Sequence, residues 1–156
     1  MALTLTPAGG VSIPLTQRAP DLFHANHPDF DLYFLRFRRD EQGNVTDIFH
    51  GPDVYENVQF STRQSNPHPP AWEAYPGHYV SHNPWYSGFR VFLRKGDLVL
   101  SYPMEGEEPL TELEPGHFRI GKEEWSPEWI RFEVNIDGKT TQAVFSGARY
   151  YRTFTP

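Results

Sequence analysis

The chain contains no cysteine, so it has no thiolate nucleophile and no cysteine-bound zinc, and the residues to weigh first are its histidines, its carboxylates and one aromatic loop. His24 and His27 stand three apart, and His78 and His82 four apart. The second spacing suits a metal on a helix, where both rings share a face, but its context here is a strand followed by a loop, and no Asp or Glu stands in ligand pattern with either pair. Surface or hydrogen-bonded histidines are the expectation. Asp21, Asp29, Asp31 and Asp40 are too irregularly spaced for a calcium loop. Glu105, Glu107 and Glu108 fall in a Gly-containing turn before Pro109, where a solvated acidic tip is favoured over a carboxylate pair. No metal and no cofactor is expected.

The stronger candidate is Ser81-His82-Asn83-Pro84-Trp85-Tyr86, the loop between two strands. Small barrels bind ligands at their mouths, and His82, Asn83, Trp85 and Tyr86 combine polar groups that orient a ligand with aromatic area that holds it. The competing reading is a turn in which Pro84 fixes the backbone and Trp85 plugs the barrel end. The sequence favours the plug. Arg36 and Arg131 sit in similar apolar strands, Leu35-Arg36-Phe37 and Ile130-Arg131-Phe132, and read as solvent-facing residues because neighbours on a strand alternate faces.

Strands position all of these residues. Tyr33 to Arg38 alternates, Asp40 to Asn44 supplies turn chemistry, and Val45 to Phe49 resumes the strand. The same design recurs from Trp129 to Phe145 around Asp137-Gly138, and a third hairpin turns at Arg94 to Asp97. No stretch sustains helical spacing, so the fold class is all-β, with one helical turn near Pro70 to Glu73.

The chain also repeats itself. Pro14, Leu15, Thr16, Pro20, Phe23, Arg36, Phe37 and Gly43 recur 95 residues later as Pro109, Leu110, Thr111, Pro115, Phe118, Arg131, Phe132 and Gly138, and Leu3 and Leu5 recur as Leu98 and Leu100. After one inserted residue the spacing becomes 96, and Phe49, Gly51 and Tyr55 recur as Phe145, Gly147 and Tyr151. These thirteen identities compare with about three from average residue usage. The second copy has a preface, Tyr75 to Asp97, that the first would need to place before Met1, so the first unit reads as cut short. Expected are a partial barrel over residues 1–60, a proline-rich polar linker over 61–71, and a complete antiparallel barrel within 72–156, its eight or so strands running from 75 to 154. Six strands without their opening pair leave an edge, and edges recruit strands, so a homodimer through that edge is expected.

Composition narrows the class. The net charge of −6 is dispersed and only three of fourteen cations are lysines, which argues against nucleic-acid binding. No run approaches membrane-spanning length, and the first residues carry neither the charge nor the apolar core of a signal peptide. Without cysteine there is no disulfide framework, and a cytoplasmic protein is the expectation.

The phrases FHGPDVY at 49–55, WEAYPGHYVSHNPWYSGFRVFLRKGDL at 72–98 and SGARYYRTF at 146–154 resemble the carboxy-terminal, lipocalin-like β domain of beta-lactamase-related serine hydrolases. D-aminopeptidase-type relatives carry two such barrels in tandem. The resemblance implies an accessory role: packing on a serine hydrolase catalytic domain, shaping access to its active site, or mediating dimerisation. Those hydrolases use a serine activated by a lysine three residues on. Here Lys95, Lys122 and Lys139 follow Phe92, Arg119 and Ile136 at that spacing, so no such nucleophile is present and the chain is not expected to be an enzyme. Tyr55-Glu56-Asn57 matches the family's tyrosine-x-asparagine pattern, but without companion groups a structural Tyr55 is favoured. The alternative function is a free-standing lipocalin-like carrier of a small apolar ligand.

Overall fold

The alternation read in the sequence becomes β-ladders in the computed structural model, which describes residues 3–61, 66–102 and 106–153. The chain divides into two compact units, 1–64 and 65–156. Six strands build the first: β1 Thr4–Leu5, β2 Ile13–Ala19, β3 Leu22–Ala25, β4 Leu35–Arg39, β5 Val45–His50 and β6 Asp53–Glu56. They pair in chain order as an open, curled sheet. The second unit begins with a 3-10 turn, Pro70–Ala74, and continues with β7 Gly77–Val80, β8 Gly88–Arg94, β9 Asp97–Tyr102, β10 Gly106–Glu114, β11 His117–Ile120, β12 Trp129–Ile136, β13 Lys139–Phe145 and β14 Ala148–Thr153. These eight strands close into an antiparallel barrel in which β14 pairs with β7.

The repeat is structural, and its offset is constant. Thr4 faces Pro14, and Leu22 faces Arg36. The residues 95 further on do the same: Val99 faces Pro109, and His117 faces Arg131. A β-bulge interrupts β2 between Gln17 and Ala19, and β10 between Glu112 and Glu114. Each bulge precedes a proline, Pro20 or Pro115, followed by a residue of positive φ, Asp21 at 56° or Gly116 at 76°. Proline holds the first turn position and the left-handed residue follows, which accounts for one identity that the two copies share. Pro109 also fits its place: its carbonyl accepts from Gly121 N–H at 2.9 Å, so its own nitrogen points past the end of β11, where no ladder donor is needed.

The shift to 96 is corrected by the ladders. Ile48 faces Tyr55 just as Ala143 faces Tyr150, so Tyr55 corresponds to Tyr150 rather than Tyr151, and Phe49 to Val144 rather than Phe145. No residue is inserted, because both hairpins have two-residue turns. The glycine changes place with the turn type. Gly51 takes φ 56° ahead of Pro52, as a II′ turn requires, whereas Ser146 and Gly147 both take positive φ, 43° and 96°, as in I′. The turns at Gly43 and Gly138 also differ. Both glycines are left-handed, but the first sits in a loop closed by Asp40, whose Oδ1 accepts from the Gln42 and Asn44 amides at 3.0 and 2.8 Å. The second follows Asp137 in a two-residue turn. Arg38 facing Asp47 and Glu133 facing Gln142 keep the flanking register identical.

Aromatic rings fill the barrel. Tyr75 stacks on Phe132 at 4.4 Å, Phe118 meets Trp72, Tyr75 and Phe132 edge-on, and Tyr79 stacks on Phe89 at 5.4 Å. The first unit keeps the central pair, with Phe23 and Phe37 at 4.8 Å. Among the described residues its buried apolar core otherwise holds Ile13, Ala25 and Leu35, with Leu5, Leu15, Phe30 and Ile48 packed against it. What the open sheet lacks shows in matched positions. Leu98 is 1 % exposed and Tyr150 1 %, while their counterparts Leu3 and Tyr55 are 47 % and 49 % exposed. In the barrel, β8 pairs directly with β9, and Phe89 of β8 packs on Tyr150 at 5.0 Å.

Of the stretch expected as linker, Asn66 is already held by the second unit, its N–H donating to Lys95 O at 2.8 Å. Gly96 permits this approach, since a Cβ there would meet Asn66 O at 1.9 Å. Residues 62–65 lie outside the described residues, as does Phe154.

His50 is the polar intruder in the first core. It is buried between Phe30 and Tyr33, at 5.3 and 5.5 Å, and its Nε2 has no hydrogen-bond partner among the described residues. Its counterpart at the constant offset is Phe145. Replacing His50 with phenylalanine removes an unsatisfied polar atom and should stabilise the first unit by about 1 kcal/mol. Urea unfolding at unchanged m-value checks this, and a loss of stability would contradict the burial argument.

Candidate functional site

In a closed antiparallel barrel alternate connections meet at the same end. The loops 81–87, 121–128 and 146–147 therefore share one mouth of the second unit. The first of them is held by Ser81 N–H donating to Ser87 O at 2.8 Å and Trp85 N–H donating to Asn83 Oδ1 at 3.0 Å. The plug is Tyr86 and not Trp85. Tyr86 packs on Tyr102 and Phe145, both at 5.5 Å, and Phe89 at 6.3 Å, while Tyr150 Oη donates to its carbonyl at 2.9 Å. Trp85 is 94 % exposed. Strand alternation ends at Val80 and resumes at Gly88, so the loop between them sets its own facing.

The four candidates thus part company. Asn83 and Tyr86 line an open depression of about 500 Å³ together with Tyr102, Glu128, Phe145 and Tyr150. His82 and Trp85 stand in solvent outside it. A neighbouring depression of about 400 Å³ shares Tyr102 and Glu128 and adds Glu108, Lys122, Glu123 and Trp125, the last 79 % exposed. Trp125 and Glu128 were not singled out from the sequence, although any loop joining β11 to β12 must reach the same mouth as the one joining β7 to β8. The chemistry offered is aromatic surface rimmed by carboxylates.

The remaining sequence candidates do not converge. His27 lies 3.7 Å from Asp29, His78 Nδ1 is 3.3 Å from Thr153 Oγ1, and among the described residues no group of three metal-ligating side chains forms. Arg131 lies on the outer face, bonded to Glu133 at 2.8 Å, and Arg36 is half-buried. The acidic tip needs correction. Glu107 belongs to β10 and makes a two-pronged ion pair with buried Arg94, at 3.2 and 2.6 Å. Glu108 is exposed, and Glu105 lies outside the described residues. In the first unit the fully buried Asp47 carboxylate accepts from Arg38 Nε and Nη2 at 2.9 and 2.6 Å and from Ser61 Oγ at 3.2 Å.

Burial pushes the phenols of Tyr75, Tyr79 and Tyr150 above the ordinary value of 10.0. The Glu112 charge adds to this at Tyr75, whereas Arg152 opposes it at Tyr79 and an Asn83 hydrogen bond opposes it at Tyr150. A group whose folded pKa is raised contributes stability that is complete below its unfolded pKa and is lost as the pH climbs past it. The second unit should therefore lose stability steadily above pH 10.0, the unfolded phenols ionising first. Tyrosinate absorbance should rise together with loss of near-ultraviolet dichroism. Ionisation of all the tyrosines near the ordinary value with the fold intact would contradict it.

Comparison with known proteins adds no relative: no family model, no curated protein and no solved structure matched this chain.

Proposed function

We propose that this chain is a non-catalytic β-barrel protein, the accessory portion of a beta-lactamase-like serine hydrolase, which packs on or gates a catalytic domain carried elsewhere. The observation that carries this reading is the filled barrel: the interior where a lipocalin-like protein would hold its cargo is taken by the rings of Tyr75, Tyr79, Phe89, Phe118, Phe132 and Tyr150. That weighs against the carrier alternative. The accessory reading also draws on the sequence resemblance and on the lack of a serine three residues before any lysine. A cytoplasmic setting suits a chain without cysteines. No helix among the described residues is long and apolar enough to cross a membrane.

The purified chain should hydrolyse neither nitrocefin nor p-nitrophenyl acetate above the buffer rate, since it offers no activated nucleophile of that family's kind. It should also give no saturable fluorescence with N-phenyl-1-naphthylamine. Turnover abolished by replacing a single serine would overturn the non-catalytic reading. Stoichiometric dye binding blocked by a substitution inside the barrel would restore the carrier.

A further inference from the structure

We propose that the open edge of the first unit at β1 is a docking site for a β-hairpin supplied by a partner protein, whose chemistry is that of the chain's own β7–β8 hairpin, Gly77 to Arg94. The inference rests on the accessory reading above and adds how the module attaches.

The second unit supplies the template. Its strands β9 to β14 match β1 to β6 at a constant offset of 95, and among the described residues β7 and β8, which close the barrel between β14 and β9, have no counterpart. In the barrel, Val91, Phe92 and Leu93 face Leu100, Val99 and Leu98. The corresponding positions of the first unit are Leu5, Thr4 and Leu3. Leu15 N–H donates to Leu3 O at 2.9 Å, so by the alternation of an antiparallel ladder the backbone groups of Thr4 point away from β2, towards the open edge. Leu3, Tyr55 and Val58, 47 %, 49 % and 95 % exposed, mark the apolar strip that a hairpin would cover.

The β1 side is the one ready to pair. In the barrel β7 reaches β14 only at Tyr151 to Thr153, whose counterparts are residues 56–58. There the first unit turns, with Ser61 N–H donating to Asn57 O at 2.8 Å, so the returning strand of the hairpin engages side chains more than backbone.

Charge selects the occupant. Residues 1–64 carry five arginines and eight acids, whereas Gly77 to Arg94 holds two arginines, two histidines and no acid. A second copy fits less well. The β7–β8 hairpin of another copy is already paired on both sides within its own barrel.

The test is titration of the full chain with a synthetic peptide of sequence Gly77 to Arg94, followed by calorimetry and by amide exchange. The expected result is one-to-one binding, weakened at high salt, with the Thr4 amide becoming protected. Leu3→Glu and Tyr55→Glu change residues already half in solvent, so both variants should melt as the wild type does, yet bind at least about tenfold more weakly. A scrambled peptide should not bind. No binding at millimolar peptide, or binding indifferent to both substitutions, overturns the proposal. So does a homodimer that protects Thr4 without peptide, which would assign the edge to a second copy. None of these outcomes touches the hydrolysis and dye assays, so the accessory reading stands or falls separately.

Discussion

Replacing Phe118 with alanine is expected to cost the second unit about 3–5 kcal/mol, a large share of a typical domain's stability. Phe118 is fully buried on β11, and its ring meets those of Tyr75, Trp72 and Phe132 at 5.6, 5.7 and 5.7 Å, so truncation leaves a void walled by stiff aromatic neighbours. Such walls relax poorly, and the cavity cost adds to the lost transfer free energy. Phe23→Ala at the matched position should cost less, about 2–3 kcal/mol, because the open sheet can collapse onto the gap. Urea unfolding followed by near-ultraviolet dichroism measures both. A Phe118→Ala loss below about 1 kcal/mol would mean that the barrel is not packed around this ring.

The second large effect is expected at Glu107. The Arg94 side chain is 4 % exposed and Glu107 16 %, and two hydrogen bonds join them. Removing the carboxylate takes two charge-assisted hydrogen bonds from a buried guanidinium. Glu107→Ala should therefore destabilise the barrel by about 3–5 kcal/mol, while replacing both residues with apolar ones should recover much of that loss. Arg39 and Asp21 form the control, a pair with side chains 42 % and 38 % exposed. Arg39→Ala should cost no more than about 1 kcal/mol. Equal effects at the two sites would show that burial does not set the strength of the Arg94 pair.

The two outcomes differ in how far the sequence foretells them. Phe118 was marked by its identity with Phe23 at the shared offset, because a repeated aromatic in a repeated strand is a core position. The Glu107 pair was hidden. Arg94 and Glu107 are thirteen residues apart and meet only because β8, β9 and β10 run as neighbours. Read locally, three glutamates around a glycine look like a solvated turn. The one-residue shift after Phe49 misled for a related reason. Identity of letters follows glycine, and glycine follows turn type, so exchanging a II′ turn for a I′ turn moved the letter without moving the strand. Tyr86 and Trp85 could not be told apart because strand alternation stops at Val80 and resumes at Gly88, and the loop between them sets its own facing. The all-β class, the hairpins and the 3-10 turn at Pro70–Ala74 were legible, since each rests on alternation or turn chemistry that neighbouring residues decide.

The central claim is that the first unit is the barrel of the second without β7 and β8, in the same register. Amide exchange of the full chain, resolved residue by residue, tests it most directly. Thr4 and Val99 are counterparts whose amides point away from β2 and β10, but only Val99 has a strand, β8, on that side. Val99 should exchange as slowly as the barrel core, and Phe23 and Phe118 should both be protected, while Thr4 exchanges at nearly the rate of an open chain. A monomer in which Thr4 is protected to the same degree as Val99 would contradict the account.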